Sequence, residues 1–156
     1  MLAAISIGLH FEVSPQQVDH ALESYVPNNN RSQFTVTEHN HLVVDAYNAN
    51  PSSMAAAIKN FRMMDVPNKM AILGQMGELG AVSREEHEKV VAQLQAAGLE
   101  KVWLVGNEYA DIACPYRKFH DVEEVKAAIR EQQPTNHYIL IKGSNSVKLY
   151  QLPELL

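Results

Sequence analysis

Three short runs concentrate the residues able to do chemistry. The first, Asp45-Ala46-Tyr47-Asn48-Ala49-Asn50-Pro51-Ser52-Ser53-Met54, sets an acid, an aromatic ring and two carboxamides in front of a helix start. A carboxylate there can take ribose hydroxyls, a tyrosine can stack or hydrogen-bond, and the free amide groups of a helix start favour negative charge. The same residues suffice for a plainer task, because Asn50, Ser52 and Asp45 are also good caps for a helix and its turn. The second run, Gly74-Gln75-Met76-Gly77-Glu78-Leu79-Gly80, has glycines spaced for close backbone approach. It is not the dinucleotide pattern GxGxxG, and a plain flexible loop accounts for it equally well. The third, Lys142-Gly143-Ser144-Asn145-Ser146, places a lysine at a strand end, then glycine and hydroxyls opening a helix. That is a cradle for an anion, or else a capped helix start with an exposed lysine. No GxxxxGKS or GxxxxGKT occurs, so the sequence shows no phosphate-gripping loop of its own.

Other chemical candidates are weaker. His39 and His41 lie two apart and can share a strand face, but no third ligand is spaced nearby to complete a metal site. His87-Glu88 opens like a zinc-protease motif, yet Val91 stands where its second histidine belongs. Cys114 has only Arg117 as a nearby cation and reads as an inert thiol. The charges from Arg84 to Lys89 read as a solvated helix face.

The elements that must position the three runs are legible from patterning. Leu2 to Leu9 is a short apolar helix with nothing before it to cap its first amides. Ser14, Pro15 and Gln17 then mark a second helix through a capping box, with Val18, Ala21, Leu22 and Tyr25 on one face. Pro27-Asn28-Asn29-Asn30 breaks the pattern as a turn or linker. Beyond it strand and helix alternate. A hairpin of 34–38 and 42–46 turns at His39-Asn40, and helix 52–63 and strand 70–74 follow. Ser83 with Glu86 is expected to cap a helix ending near Ala97-Gly98, followed by strand 102–106. A brief helix at 109–113, a short strand at 116–119, a helix from Asp121 to about Gln132 and a strand at 138–142 complete the order. The runs VVDA, AILG, WLVG and ILIK do not alternate, which suits strands buried on both faces. The fold expected is α/β, a doubly wound and mostly parallel sheet preceded by a short helical segment. In such sheets ligands bind outside the carboxyl ends of the strands, which is where all three runs fall.

Composition narrows the function. The 156 residues are 46% hydrophobic and 20% charged, enough for one or two compact domains without disulfides or a structural metal. A single cysteine cannot form an internal disulfide, so the reducing cytoplasm is the expected compartment. A formal charge of -5 with no basic run makes nucleic acid a poor partner. No apolar stretch approaches the roughly 20 residues of a membrane span, and the start lacks the marks of a signal peptide, so no membrane partner is expected.

Taken together and in this order, Asp45 to Met54, ILGQMGELG at 72–80 and ILIKGSNS at 139–146 resemble the C-terminal third of the Mur ligases. They are most similar to the member that joins D-alanyl-D-alanine to UDP-N-acetylmuramoyl-tripeptide, whose hallmark is a run like Asp45 to Pro51. The resemblance implies that 33–156 form the Rossmann-like C-terminal domain, and that 1–32 are the tail of a central ATPase domain plus a linker. It implies an ATP-dependent amide-forming ligase of peptidoglycan precursor synthesis, in which the tripeptide carboxylate becomes an acyl phosphate that the dipeptide amine attacks, with magnesium's help. By the same resemblance, Arg31 reaches the ATP phosphates and Asp45 the ribose, while Tyr47, Asn48 and Asn50 line the nucleotide side. Glu78, Lys142, Ser144 and Ser146 face the dipeptide or the peptide stem. Two positions depart from the family's usual residues: Gln75 replaces an aspartate and Asn145 an arginine. The family's phosphate loop, magnesium carboxylate and modified lysine belong to its central domain and have no match here, so the chain alone is expected to be inactive. The alternative is a stand-alone, non-catalytic module binding a nucleotide or small anion. A small hydrolase is disfavoured, because no nucleophile elbow is present.

Overall fold

A computed structural model describes residues 2–25 and 33–156. The first two helices are α1 (Leu2–His10) and α2 (Pro15–Ser24). The Ser14 hydroxyl accepts from the Gln17 amide at 3.3 Å and the Gln17 carboxamide accepts from the Ser14 amide at 3.2 Å, the reciprocal cap that the sequence predicts. Val18 is the buried contact of α2, lying against Gly8 of α1, while Ile7, Leu9, Phe11 and Tyr25 remain exposed.

Strands β1 (Gln33–Val36) and β2 (His41–Asp45) form the antiparallel hairpin. The first strand stops short of the predicted Glu38 for a local reason. The Thr37 hydroxyl accepts from the Asn40 amide at 2.9 Å, and the Thr37 amide donates to the Asn40 carbonyl, turning the chain two residues early. There follow α3 (Pro51–Met63), β3 (Lys69–Gly74), α4 (Ser83–Ala96), β4 (Lys101–Val105), β5 (Arg117–Phe119), α5 (Val122–Gln132) and β6 (Tyr138–Lys142). Single 3-10 turns occupy 80–82, 107–109 and most of 145–155.

The sheet order is β1-β2-β6-β3-β4-β5, and every pairing except β1 with β2 is parallel. This is the doubly wound, mostly parallel α/β arrangement. One face is packed by Val125 and Ile129 of α5 with Leu149 and Leu152 of the final turns. The other is packed by Met54 and Ile58 of α3 and by Val90 and Leu94 of α4. Strands β3, β4 and β6 are buried almost throughout, as their unbroken apolar runs require. The VVDA segment differs: β2 alternates between buried and half-buried positions, because it is the inner strand of the edge hairpin, next to exposed β1, rather than lying mid-sheet.

Two capping expectations are corrected. Ser83 does not cap α4; a 3-10 turn at Gly80–Val82 leads into the helix, Val82 occupies the cap position, and the Ser83 hydroxyl donates to Glu108. No α-helix opens after Lys142 either: Ser144 leads a single 3-10 turn at Asn145–Val147, so no helix start is available there to hold an anion. At Asp121 the expectation holds, with its carboxylate accepting from the Glu123 and Glu124 amides at 2.9 and 3.1 Å.

Adjacent strand ends approach unusually closely at two glycines. A Cβ on Gly143 would lie 2.8 Å from the Gly74 Cα and 3.1 Å from its amide nitrogen, both rigid backbone atoms. Gly143→Ala therefore has no flexible side chain to push aside, and its expected cost is about 2 kcal/mol of unfolding free energy, read as a lower urea midpoint.

Candidate functional site

Strands β2, β6 and β3 are consecutive and parallel in the sheet, so the three chemically loaded runs leave it side by side along one rim. The register pairs Asp45 directly with Lys142 at the ends of β2 and β6. The Lys142 ammonium donates to Asp45 Oδ2 at 2.6 Å and to the Asn48 carbonyl at 3.1 Å. The lysine side chain is 1% exposed, whereas the Asp45 side chain is 22% exposed. A buried ammonium is tolerated only when charge and hydrogen bonds are supplied to it, and here one strand end and the loop beyond it supply both.

Lys142, expected from the resemblance to face the dipeptide or peptide stem, lies beneath the rim and ties the β2 loop to β6. Asp45 stays at the boundary between that buried cation and solvent. Beyond it, Tyr47 is exposed over half its surface, and Asn48 is exposed while its carboxamide oxygen accepts from the Ala49 amide at 2.8 Å. Asn50 is the cap of α3: its carboxamide oxygen accepts from the Ser53 amide and the Ser52 hydroxyl, both at 2.9 Å. The geometry shows Asn50 in its plainer role, as the cap of α3. Arg31 lies outside the described residues.

The β3 loop is stitched to its neighbours. The Gln75 amide donates to the Val105 carbonyl at 2.8 Å, and the Gln75 carbonyl accepts from the Ser144 amide at 3.1 Å. The Gln75 side chain lies against Gly106, where any Cβ would collide with it, and its oxygen accepts from the Glu108 amide at 3.3 Å. The Gln75 side chain is thereby engaged by the β4 loop. Exposed Glu78 follows with φ +62°, and a Cβ on neighbouring Gly77 would be 3.5 Å from the Ser144 hydroxyl. Ser144 in turn lies 3.0 Å from the Ser146 hydroxyl. The Glu78 and Ser144 loops therefore adjoin, with the Tyr47 loop tied to them through Lys142. Beside Gln75 a cleft of about 420 Å³ continues along the rim to Gly106, Asp121, Ser146 and Lys148.

His87, read from the sequence only as half of an incomplete zinc motif, lies behind the rim. It is completely buried in α4 and touches the β3 loop, with Tyr109 packed edge-on against its ring. Burial pushes the Tyr109 phenol upward from its ordinary pKa, so it stays protonated. The signal in the sequence is the spacing of His87 with Val90, Val91 and Leu94, which places the histidine on the apolar stripe of α4. Among the described residues no group of three or more His, Cys, Asp or Glu is arranged to hold a metal ion.

The profile of the family described as "Mur ligase, glutamate ligase domain" matches residues 30–145. The chain belongs to the Mur ligase family. Its relatives in that family include the UDP-N-acetylmuramoyl-tripeptide–D-alanyl-D-alanine ligase of Rickettsia prowazekii, 36% identical over 125 residues, covering 76% of this chain and 28% of that protein. The enzyme of the same name from Treponema pallidum is 30% identical over 164 residues, covering 99% of this chain and 36% of the relative. A crystal structure of MurF from Acinetobacter baumannii superposes with a TM-score of 0.80 at 26% identity, covering 96% of this chain and 35% of that one. The chain thus spans about a third of the length of the Mur ligases it matches.

Removing the cation beneath the rim leaves Asp45 with a desolvated flank. Lys142→Met is expected to lower unfolding free energy by about 3 kcal/mol, at the low end for a broken buried pair because Asp45 keeps partial access to water. Urea titration of the two proteins checks this.

Proposed function

We propose that this chain is the C-terminal part of an ATP-dependent ligase that joins D-alanyl-D-alanine to UDP-N-acetylmuramoyl-tripeptide in peptidoglycan precursor synthesis. The observation that carries the reading is the single rim: the Asp45–Asn50, Gln75–Glu78 and Ser144–Ser146 loops adjoin and are fastened together by Lys142 and the Gln75 backbone. The names and extents of the relatives support it, since each is about three times as long as the segment matched.

The rim fits a nucleoside better than a triphosphate. Asp45 presents a partly exposed carboxylate suited to ribose hydroxyls, and Tyr47 an exposed ring suited to a base or sugar face. Asn48 borders them, and Asn50 fixes the helix behind. Lys142, already paired, holds Asp45 in place and serves as a positioning residue. In this reading the triphosphate and Mg²⁺ are held mainly by the central domain, which the relatives' extra length accommodates, with Arg31 of the linker reaching the phosphates. When bound, ATP with Mg²⁺ supplies the phosphoryl group that activates the tripeptide carboxylate for attack by the dipeptide amine. Glu78, Ser144 and Ser146 orient the peptide groups from the adjoining loops, Glu78 offering a carboxylate to an ammonium and the serines hydroxyl donors to a carboxylate. Residues 1–32 are read as the tail of the central domain and its linker, which explains the exposed apolar side chains of α1. Closure of 33–156 over that domain completes the site. The compartment that fits this function is the cytoplasm, where its nucleotide is available.

The test is a titration of the 156-residue chain, followed by backbone amide shifts, with a non-hydrolysable ATP analogue and with D-alanyl-D-alanine. Shifts at 45–50 are expected with the nucleotide, and at 77–78 and 143–146 with the dipeptide. The chain alone is expected to hydrolyse no ATP, and ligation is expected to appear when the missing domains are supplied. Turnover by the chain alone overturns the reading. Nucleotide binding with no ligation in the completed protein supports the non-catalytic module instead.

A further inference from the structure

We infer that His87, buried behind the rim, is a positioning residue that holds the β3 loop in the conformation presenting Glu78. The inference deepens the proposed function, and its activity readout rests on that reading.

The chemistry of its partners fixes the state of the imidazole. His87 Nδ1 lies 2.7 Å from the Ser83 carbonyl, which can only accept, so Nδ1 carries the proton. Nε2 is then left with a lone pair, and it accepts from the Met76 amide at 2.9 Å. Both ring nitrogens are satisfied within a fully buried side chain, and neither contact survives a change of tautomer. Edge-on packing of Tyr109, at 4.8 Å between ring centroids, fixes the ring plane from the β4 side. The Ser83 hydroxyl, 3.4 Å from Nδ1, is itself directed to Glu108 of that same loop.

The anchored point controls the chain just beyond it. Met76 is buried, and past the end of β3 its amide has left the ladder, so without His87 that donor would be desolvated and unpaired. Two residues later Glu78 adopts φ +62°, a left-handed conformation uncommon for any residue with a side chain. The chain returns through Leu79, whose carbonyl accepts from the Val82 amide at 3.3 Å, into α4, the helix that carries His87. The loop is therefore a short excursion pinned at its start by a side chain from the helix at its end. That pin sets where Glu78 stands relative to Ser144.

Two variants separate this role from space filling. Phenylalanine keeps a ring against Tyr109 but supplies no acceptor; in His87→Gln the carboxamide oxygen can stand near the Nε2 position and accept from Met76. In the 156-residue chain, His87→Phe is expected to speed Met76 amide exchange by about 100-fold, while His87→Gln stays near wild type. In the ligase completed with its other domains, His87→Phe is expected to raise KM for D-alanyl-D-alanine about tenfold with KM for ATP unchanged, and His87→Gln to recover most of that loss. Equal exchange in wild type and His87→Phe, or equal defects in the two variants, overturns the inference. An unchanged dipeptide KM despite faster exchange overturns the positioning role. A completed wild-type protein that joins no substrates overturns the proposed function instead, and the exchange measurement still decides the His87 contact.

Discussion

A buried ammonium is the constraint on which the rim depends. Lys142 sits at the end of a central strand with almost no access to water, and among the described residues its desolvation is offset by Asp45 and the Asn48 carbonyl. Both partners belong to the β2 loop. Satisfying one charge thus fixes the path of that loop, holds the Asp45 carboxylate at the solvent boundary and sets the start of the turn that carries Tyr47. Replacing the lysine by an apolar side chain would preserve the strand and release the loop.

The other loops are held by different physics toward the same end. Between β3 and β6 it is steric: Gly143 lets its backbone approach that of Gly74 where a Cβ would intrude, and the Ser144 amide donates to the Gln75 carbonyl. Between β3 and β4 it is hydrogen bonding through the Gln75 side chain, and between the β3 loop and α4 it is the bond from the Met76 amide to buried His87. Parallel order alone would bring the strand ends together. These contacts turn three neighbouring loops into one surface whose polar groups hold fixed spacings.

Much of the fold was legible in the sequence because its signals are local. Unbroken apolar runs marked β3, β4 and β6, and the Ser14 and Asp121 caps placed two helix starts. The errors arose where a distant contact outcompeted a local one. Ser83 has the chemistry of a cap but turns to Glu108, 25 positions away, and Lys142 looks exposed until the register puts it beside Asp45, 97 positions away. His87 resembles half of an absent zinc motif because its partner, the Met76 amide, has no signature in residue type. The adjacency of the three loops was legible from the alternation of strands and helices; the contacts within the candidate site depend on pairings that no spacing rule encodes.

A double-mutant cycle on Asp45→Asn and Lys142→Met, read as unfolding free energy in urea, tests the fastening of these loops most directly. A coupling of about 1–3 kcal/mol is expected, with the double variant more stable than the sum of the single losses implies. Additivity within about 0.5 kcal/mol would refute the fastening, because the two loops would then be held at the rim by something other than this ion pair.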